Sequence, residues 1–315
     1  MLSSDTRLFS RLLLVDCFNQ PMLLPALFAA LLGLTSPIPG ATVDSAVDDR
    51  ALFQRLEAST SALAEKGDNI LKRDTRLEQC KRATAAGLRL TSQPFTAPLS
   101  GEEIYRRAAQ ASVLIGFAYK CDKCTKWHNT LASGFVISSD GVIATNHHVA
   151  AGATGEAMGV MTADGKFHQV LEVLAADKAH DVALLRIDAK DLPFLPLRDD
   201  APAGSPIRCF SNPANTYGCI SEGIITRYFH MNEAERNGAI FMQTTADYAR
   251  GSSGGAILDD CGNAVGMVAS TAPVFTTAPV HVPATKDAKP FTPSQQMVRH
   301  NCATARAILD LTRQK

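Results

Sequence analysis

Between residues 111 and 270 the chain consists of short apolar runs separated by turns, several of which contain glycine. Runs of this length, with no helical pattern between them, are typical of strands in a barrel or a sandwich. A stretch rich in proline and aspartate, Leu192 to Pro206, divides the runs into two sets, so we predict an all-β core of two barrels. The predicted strands are Ala111–Tyr119, Gly134–Ser138, Gly141–Thr145, Phe167–Val173 and Asp181–Ile187, then Ile207–Phe210, Cys219–Tyr228, Ala239–Thr244, Ala256–Leu258 and Val265–Ser270.

Helical patterns flank this strand region, which we assign to residues 100–275. Leucine and isoleucine recur at helical steps among charged residues before it, which predicts an N-terminal helical segment over residues 47–92. This segment is expected to pack on the main domain or lie beside it, and a pro-segment or an oligomerisation arm is the alternative. Residues 276–315 are predicted to be a proline-rich linker followed by a C-terminal helix, Gln295 to Thr312, that carries Cys302.

The N-terminal region, residues 1–41, predicts a signal peptide. Met22 to Leu34 is a continuous run without charged residues, which has the length of a signal-peptide core and is too short to span a bilayer. We therefore expect an exported protein, periplasmic or extracellular, with no integral membrane span after signal removal. An uncleaved anchor or a cytosolic chain is the alternative.

The charge balance argues against two classes of partner. The chain has 31 basic and 31 acidic residues and a formal net charge of zero. Electrostatic binding of nucleic acid or of anionic lipid over a large surface needs an excess of positive charge. We expect protein or peptide substrates and no nucleic-acid partner.

Eight cysteines are compatible with export, because exported proteins keep disulfides. Cys209 and Cys219 bracket a turn-rich segment and are the best candidates for a bridge. Cys121 and Cys124, in a CxxC motif followed by His128, are expected to form one or two disulfides on a hairpin loop. Zinc binding is the first alternative, although no second CxxC supplies the rest of a structural site. A thioredoxin-like redox role is the second, although a βαβ context is missing.

Three further motifs carry the residue types of acyl transfer. The pentad 251–255 places Ser253 among glycines, which favours a sharp turn with a reactive hydroxyl beside free backbone N–H groups. His147 and His148 follow a predicted strand, and a histidine titrates in the range that a general base needs. Asp181 heads an apolar strand, where it could orient an imidazole. Taken singly, the same motifs also fit a plain loop, a structural or metal-binding histidine pair and a strand cap.

In the chain order His, Asp, Ser, and with their spacing, the motifs resemble those of trypsin-like peptidases of the HtrA/Deg branch. The resemblance covers residues 111–271. It implies two six-stranded antiparallel barrels and an endopeptidase that works through an acyl-enzyme, with no cofactor and no metal. It also selects His148 over His147 as the base and assigns the oxyanion-hole N–H groups to Gly251 and Ser253. The matching stretches are residues 132–137, 145–149, 181–185, 243–245 and 251–255.

The chain departs from the wider family at two points. Ser252 stands where many trypsin-like enzymes have an aspartate that pairs with a new N-terminus, so we expect activity without zymogen cleavage of that kind. The segment 276–315 is too short for the peptide-binding PDZ domain that HtrA/Deg proteins usually carry. This weakens the analogy with processive protein quality control.

Substrate contacts are predicted for Asp247, Ala269, Ser270 and Thr271. Asp247 lies six residues before Ser253, where a buried carboxylate would select Arg or Lys. An outward-turned Asp247, or one neutralised by Arg250, is the alternative. Two other functions remain open: a catalytically silent two-barrel binding or chaperone-like module, and a zinc-dependent enzyme centred on Cys121 and Cys124.

Overall fold

A computed structural model of the chain describes residue 42 and residues 46–90, 93–121, 123–152, 155–232, 234–236, 238–276 and 293–313. The predicted signal peptide lies outside these residues. Among the helices within them, none is both long and apolar enough to cross a membrane.

Three helices precede the strands: α1 (Asp49–Lys66), α2 (Arg73–Gln79) and α3 (Gly101–Ala111). The Asp48 side chain accepts a hydrogen bond from the N–H of Ala51 and caps α1, and Gly67 ends the helix in the left-handed conformation. The predicted N-terminal helical segment is therefore helical only as far as Gln79.

The first barrel is closed, antiparallel and six-stranded, with the strand order β1-β2-β3-β6-β5-β4. A short helix, α4 (His147–Ala150), follows its third strand directly. Its strands are β1 (Ser112–Lys120), β2 (Trp127–Ser138), β3 (Val142–Thr145), β4 (Ala157–Thr162), β5 (Phe167–Asp177) and β6 (Val182–Ile187).

The second barrel is also closed, antiparallel and six-stranded, in the order β10-β11-β12-β9-β8-β7. The helix α5 (Ala305–Asp310) follows its last strand. Its strands are β7 (Pro206–Ser211), β8 (Cys219–His230), β9 (Ile240–Thr244), β10 (Ala256–Leu258), β11 (Ala264–Phe275) and β12 (Gln295–Thr304). The prediction of two six-stranded barrels is confirmed.

The predicted C-terminal helix, Gln295 to Thr312, was wrong over most of its length, and most of the predicted proline-rich linker before it lies outside the described residues. Residues Gln295–Thr304 form strand β12 instead of a helix, and only α5 is helical. β12 pairs with β9 on one side and β11 on the other, so it closes the second barrel. Closure of the sheet outweighs the local helical preference of this segment. Strand β4 was not predicted at all.

The predicted Cys209–Cys219 bridge is also wrong. On the paired strands β7 and β8, Cys209 lies opposite Ser221 and Cys219 lies opposite Ser211. All seven cysteines of the described residues carry free thiols. Because a disulfide needs its two cysteines within reach of each other across the ladder, the register of this hairpin keeps the pair apart.

Apolar side chains fill each barrel and also the space between the barrels. The cluster between them joins Phe135 and Leu184 of the first barrel to Phe210 and Met267 of the second. Ile308 of α5 packs into the same cluster. The two barrels are therefore held side by side by a continuous core.

A buried arginine is among the residues that tie the N-terminal helices to the first barrel. Arg76 of α2 is 1% exposed, and its guanidinium donates to the carbonyl oxygens of Ala150, Gly152 and Gly155 at 2.5, 2.9 and 2.9 Å. Burial lowers the pKa of Arg76 from its ordinary value. Three backbone carbonyls at and after the end of α4 are thus bound by a residue outside the barrels.

Replacing Arg76 with methionine keeps most of the length of the side chain and removes its donors. We expect Arg76→Met to lower the free energy of unfolding by about 2–4 kcal/mol, because three carbonyl oxygens lose their donor in a dry environment. Urea denaturation followed by fluorescence measures this. Arg73→Met, at an exposed position of the same helix, is the control. Equal midpoints for wild type and Arg76→Met would contradict the structural role.

Candidate active site

His148 lies in the helical turn α4, which starts as soon as β3 ends. Successive residues of a helix are turned by about 100°, so His147 and His148 point to different surroundings. His148 has a side chain that is 46% exposed, whereas burial lowers the pKa of His147. The two neighbouring imidazoles therefore face different environments, and only that of His148 is directed at Ser253.

Asp181 ends the turn between β5 and β6 and is 1% exposed. Its φ of 57° places it in the left-handed region, which aspartate tolerates better than most residues. Asp177 holds the turn by accepting from the N–H groups of Ala179 and His180 at 2.8 and 3.2 Å. A hydrogen bond from the His180 side chain lowers the pKa of the Asp177 carboxyl.

The three predicted triad residues meet in one chain of hydrogen bonds. His148 Nδ1 donates to Asp181 Oδ2 at 2.9 Å, and the backbone N–H of His148 donates to Asp181 Oδ1 at 3.0 Å. On the other side of the ring, Ser253 Oγ lies 3.0 Å from His148 Nε2. The carboxylate fixes the tautomer of the imidazole, and the free nitrogen faces the hydroxyl whose proton it would take.

Two further polar side chains support Asp181. Asn146 Nδ2 donates to the backbone carbonyl of Asp181 at 2.9 Å. The Arg236 guanidinium lies 3.5 Å from Asp181 Oδ2 and 5.5 Å over the ring of Phe241. The guanidinium thus lies beside the carboxylate oxygen that accepts from His148 Nδ1.

Ser253 stands on a turn that only glycine permits at two positions. Gly251 and Gly254 have φ values of 99° and 87°, and a side chain at Gly254 would overlap the carbonyl oxygen of Ser133. In the described part of the chain, no protein acceptor binds the N–H groups of Gly251 and Ser253. These donors are available to a developing oxyanion. Ser252 is buried, and its Oγ accepts from Ser211 Oγ at 3.0 Å.

Ser133 joins the serine turn to the first barrel. The N–H of Ser133, on β2, donates to the carbonyl of Ser253 at 2.8 Å, and its Oγ donates to the carbonyl of Gly251 at 3.2 Å. Ser133 Oγ in turn accepts from Asn212 Nδ2 at 2.9 Å, and the Ser133 carbonyl accepts from Thr145 Oγ1 at 2.9 Å. The N–H and the hydroxyl of this buried residue therefore hold the two barrels in register at the site, and its carbonyl is bound within the first barrel.

Two of the four predicted substrate residues line a cleft of about 760 Å³ in the second barrel, and Ala269 and Ser270 do not. Asp247 and Thr271 line it, and the Asp247 side chain is 93% exposed, so it is not the buried carboxylate of a pocket floor. Asp247 Oδ1 lies 3.8 Å from His300 Nε2. The neighbouring Ala269 is buried, and the carbonyl of Ser270 accepts from the Tyr248 hydroxyl at 3.1 Å.

A second, smaller cleft has a volume of about 230 Å³. It is lined by His148 and Ser253 and by Thr130, Leu131 and Ala132 of β2. Residues of both barrels thus line this cleft.

Four supporting residues were missed by the sequence argument. Ser133 and Asn146 both lie in the stretches that carry the family resemblance, so the resemblance could have identified them as residues near the site. Arg76 and Arg236 lie outside those stretches. Nothing in the local pattern marks either arginine as close to the triad.

Residues 132–267 match the trypsin-like peptidase domain family. This range contains His148, Asp181 and Ser253 as well as ten of the twelve strands in whole or in part. The chain therefore carries a trypsin-like peptidase domain, and its two closed six-stranded barrels have the fold of that class.

Within this class the chain is homologous to the DegS and DegP serine proteases. It is 36% identical over 140 residues to a probable periplasmic serine endoprotease DegP-like of Pseudomonas fluorescens Pf-5, covering 44% of this chain and 29% of that protein. It is 33% identical over 180 residues to the serine endoprotease DegS of Escherichia coli K12, covering 54% of this chain and 48% of DegS. The chain thus spans about half the length of DegS and less than a third of the DegP-like protein.

A solved structure of the HtrA-type protease AlgW with a decapeptide shares the fold. The TM-score is 0.50 at 23% identity, and the superposition covers 67% of this chain and 66% of AlgW. This similarity supports the two-barrel architecture and says nothing further about activity.

Removing the Ser133 hydroxyl tests whether its hydrogen bonds between the two barrels position Ser253. We expect Ser133→Ala to slow the reaction of Ser253 with a fluorophosphonate about tenfold, because the Asn212 amide and the Gly251 carbonyl lose their partner and the serine turn shifts. Gel-based labelling over time measures the rate, and circular dichroism checks the fold. Ser139→Ala, at an exposed position in the turn before β3, serves as the control. A labelling rate equal to that of wild type would show that the backbone hydrogen bond alone holds the turn.

Proposed function

We propose that the protein is a serine endopeptidase that hydrolyses peptide bonds in proteins through an acyl-enzyme. The observation that carries this proposal is the unbroken hydrogen-bond chain Asp181–His148–Ser253, next to the two unused N–H groups of Gly251 and Ser253. A binding module needs neither the aligned base nor the unused donors. The homology to DegS and DegP supports the same function.

In this mechanism Ser253 Oγ attacks the carbonyl carbon of the scissile bond while His148 Nε2 takes the hydroxyl proton. The N–H groups of Gly251 and Ser253 donate to the oxyanion. His148 then passes its proton to the leaving amine, which departs and leaves an ester on Ser253. Water, deprotonated by His148, then attacks the ester; the bond to Ser253 breaks, the acid leaves, and His148 returns the proton to Ser253 Oγ. Asp181 stays ionised throughout and stabilises the imidazolium.

We further propose that the protein acts outside the cytoplasm. The predicted signal peptide in residues 1–41 supports export, and the DegP-like relative is named as a periplasmic protein. The free thiols of Cys209 and Cys302 are compatible with this location, since both are buried and burial raises both pKa values, that of Cys302 to about 12. A neutral, buried thiol is a poor nucleophile and resists oxidation.

Covalent labelling separates an endopeptidase from a catalytically silent module. We expect a fluorophosphonate to label one serine per folded chain, and Ser253→Ala to abolish labelling and lower casein hydrolysis by about 10⁴-fold or more. The matched control is Ser252→Ala, which removes the buried neighbouring hydroxyl and leaves Ser253 in place. A well-folded wild type that takes up no label would favour the binding module.

For the substrate cleft we propose that Asp247 and Thr271 contact the residue on the acyl side of the cleaved bond. Because Asp247 is exposed, its attraction for a basic side chain is screened by water and contributes no more than about 1 kcal/mol. Specificity for Arg or Lys is therefore expected to be weak.

Peptide kinetics test this assignment. We expect Asp247→Asn to lower kcat/KM for a lysyl peptide no more than about fivefold relative to a matched norleucyl peptide. Asp188→Asn, an exposed carboxylate beyond β6, is the control and leaves the ratio unchanged. An unchanged ratio in Asp247→Asn would remove Asp247 from the substrate site, and a change above about 30-fold would require a buried carboxylate in the complex.

A further inference from the structure

The tip of the β1–β2 hairpin brings together three metal-binding side chains that the proposed reaction does not use. Strands β1 and β2 pair as far as Lys120 with Trp127. Cys121 and Cys124 lie in the loop that follows this pair, and His128 is the second residue of β2. The paired strands thus return the chain so that His128 faces the CxxC.

The ligand atoms form a compact triangle. Cys121 Sγ lies 3.5 Å from Cys124 Sγ, and His128 Nε2 lies 3.2 Å from Cys121 Sγ and 3.0 Å from Cys124 Sγ. Zinc bonds of about 2.3 Å to sulfur and about 2.0 Å to nitrogen in a tetrahedral arrangement place two sulfurs about 3.8 Å apart and sulfur and nitrogen about 3.6 Å apart. The triangle needs to open by only about 0.3–0.6 Å to hold such an ion.

The same distances argue against the disulfide expected from the sequence. The two sulfurs stand well beyond the bonding distance of about 2.05 Å, and both are directed at one imidazole nitrogen. A disulfide would leave His128 Nε2 with no function at this place. Two thiols and an imidazole that converge on one point are instead the ligand set of a thiophilic metal.

The surrounding residues hold the ligands in place. The His128 ring packs against Tyr119, its partner across the ladder, with ring centroids 5.5 Å apart. The Lys120 ammonium lies 4.8 Å over the Trp127 ring and closes the base of the loop. Since the ring and the base of the loop are already ordered by packing, a metal would need to fix little more than the loop residues.

We propose that Cys121, Cys124 and His128 form a binding site for a thiophilic metal ion, Zn²⁺ in particular. Binding displaces one proton from each thiol to the solvent, and the two thiolates balance the charge of the ion. The fourth tetrahedral position is open to a water molecule, as in other sites with two cysteines and one histidine. Mg²⁺ and Ca²⁺, which prefer oxygen ligands, are excluded by the donor set.

The site is connected to the peptidase machinery by a short length of one strand. From His128, β2 runs through Thr130, Leu131 and Ala132, which line the smaller cleft, to Ser133, which holds the serine turn. A metal at the hairpin tip would therefore stiffen the strand that forms one wall of the cleft. This consequence rests on the proposed function, whereas metal binding itself does not.

Metal titration of the full chain tests the site. The protein is first reduced with a phosphine and stripped with a chelator, and Co²⁺ is then added to report thiolate ligation through its near-ultraviolet charge-transfer band. We expect one Co²⁺ per chain, displaced by one Zn²⁺ and not by Mg²⁺. Cys121→Ser, Cys124→Ser and His128→Asn are each expected to weaken Zn²⁺ binding by about tenfold or more in competition with a chromophoric chelator.

Matched variants keep the test specific. Cys261→Ser and His230→Asn change a partly exposed cysteine and an exposed histidine elsewhere in the chain and are expected to bind as wild type does. Zn²⁺ is also expected to raise the melting temperature of wild type and not that of Cys121→Ser.

Three results would overturn the proposal: no stoichiometric Co²⁺ or Zn²⁺ uptake by wild type, equal affinity in the ligand variants, or a Cys121–Cys124 disulfide found by mass spectrometry in protein isolated without reductant. The readouts do not involve peptide hydrolysis. Zinc binding by a protein without peptidase activity would contradict the proposed function and support the metal site. Peptidase activity in a protein that takes up no zinc would contradict the metal site alone.

Discussion

The active site depends on the hydrogen bonds that Ser133 makes across the boundary between the barrels. His148 and Asp181 belong to the first barrel and Ser253 to the second, so no single sheet fixes their distances. Ser133 binds the backbone on both sides of Ser252 through its N–H and its hydroxyl. Because a side chain at Gly254 would overlap the Ser133 carbonyl, the close approach also depends on that glycine. The apolar cluster holds the two barrels together, and the hydrogen bonds of Ser133 set the relative position of the three residues that proton transfer requires.

The first barrel has its own dependence on residues outside it. The segment after α4 lines the smaller cleft and carries Gly152 and Gly155, whose carbonyls are held by Arg76 of α2. Glycines alone would leave this segment free to move. The N-terminal helices therefore contribute a positioning residue to the catalytic half of the first barrel and are more than a covering layer. Their contribution gives a physical reason why the peptidase domain begins structurally before residue 132, where the family match begins.

Prediction from the sequence succeeded where structure is local and failed where it is set by distant partners. Hairpin strands such as β1 and β3 have apolar runs and adjacent turns, and the triad stands in short motifs whose order is diagnostic. The prediction of a helix at β12 was wrong because this segment is a strand only through its pairing with β9 and β11, which closes the barrel. Both partners are distant in the chain, so the local sequence does not show the pairing. The bridge from Cys209 failed for a related reason, since the register of β7 on β8 decides which residues face each other. Arg76 had no local signal because its partners lie far along the chain, beyond α4.

At the tip of the β1–β2 hairpin, too, the local sequence does not decide between two structures. A CxxC in an exported chain fits a disulfide as well as a metal site, and the sequence leaves the choice open. The pairing of Tyr119 with His128 settles which side chain faces the two sulfurs, and the imidazole then makes a metal-binding set out of what would otherwise be a redox pair. Further along the same strand, Ser133 holds the serine turn. Strand β2 thus carries His128 of the proposed metal site near its exposed end, and Ser133, which binds the backbone of Gly251 and Ser253, near its buried end.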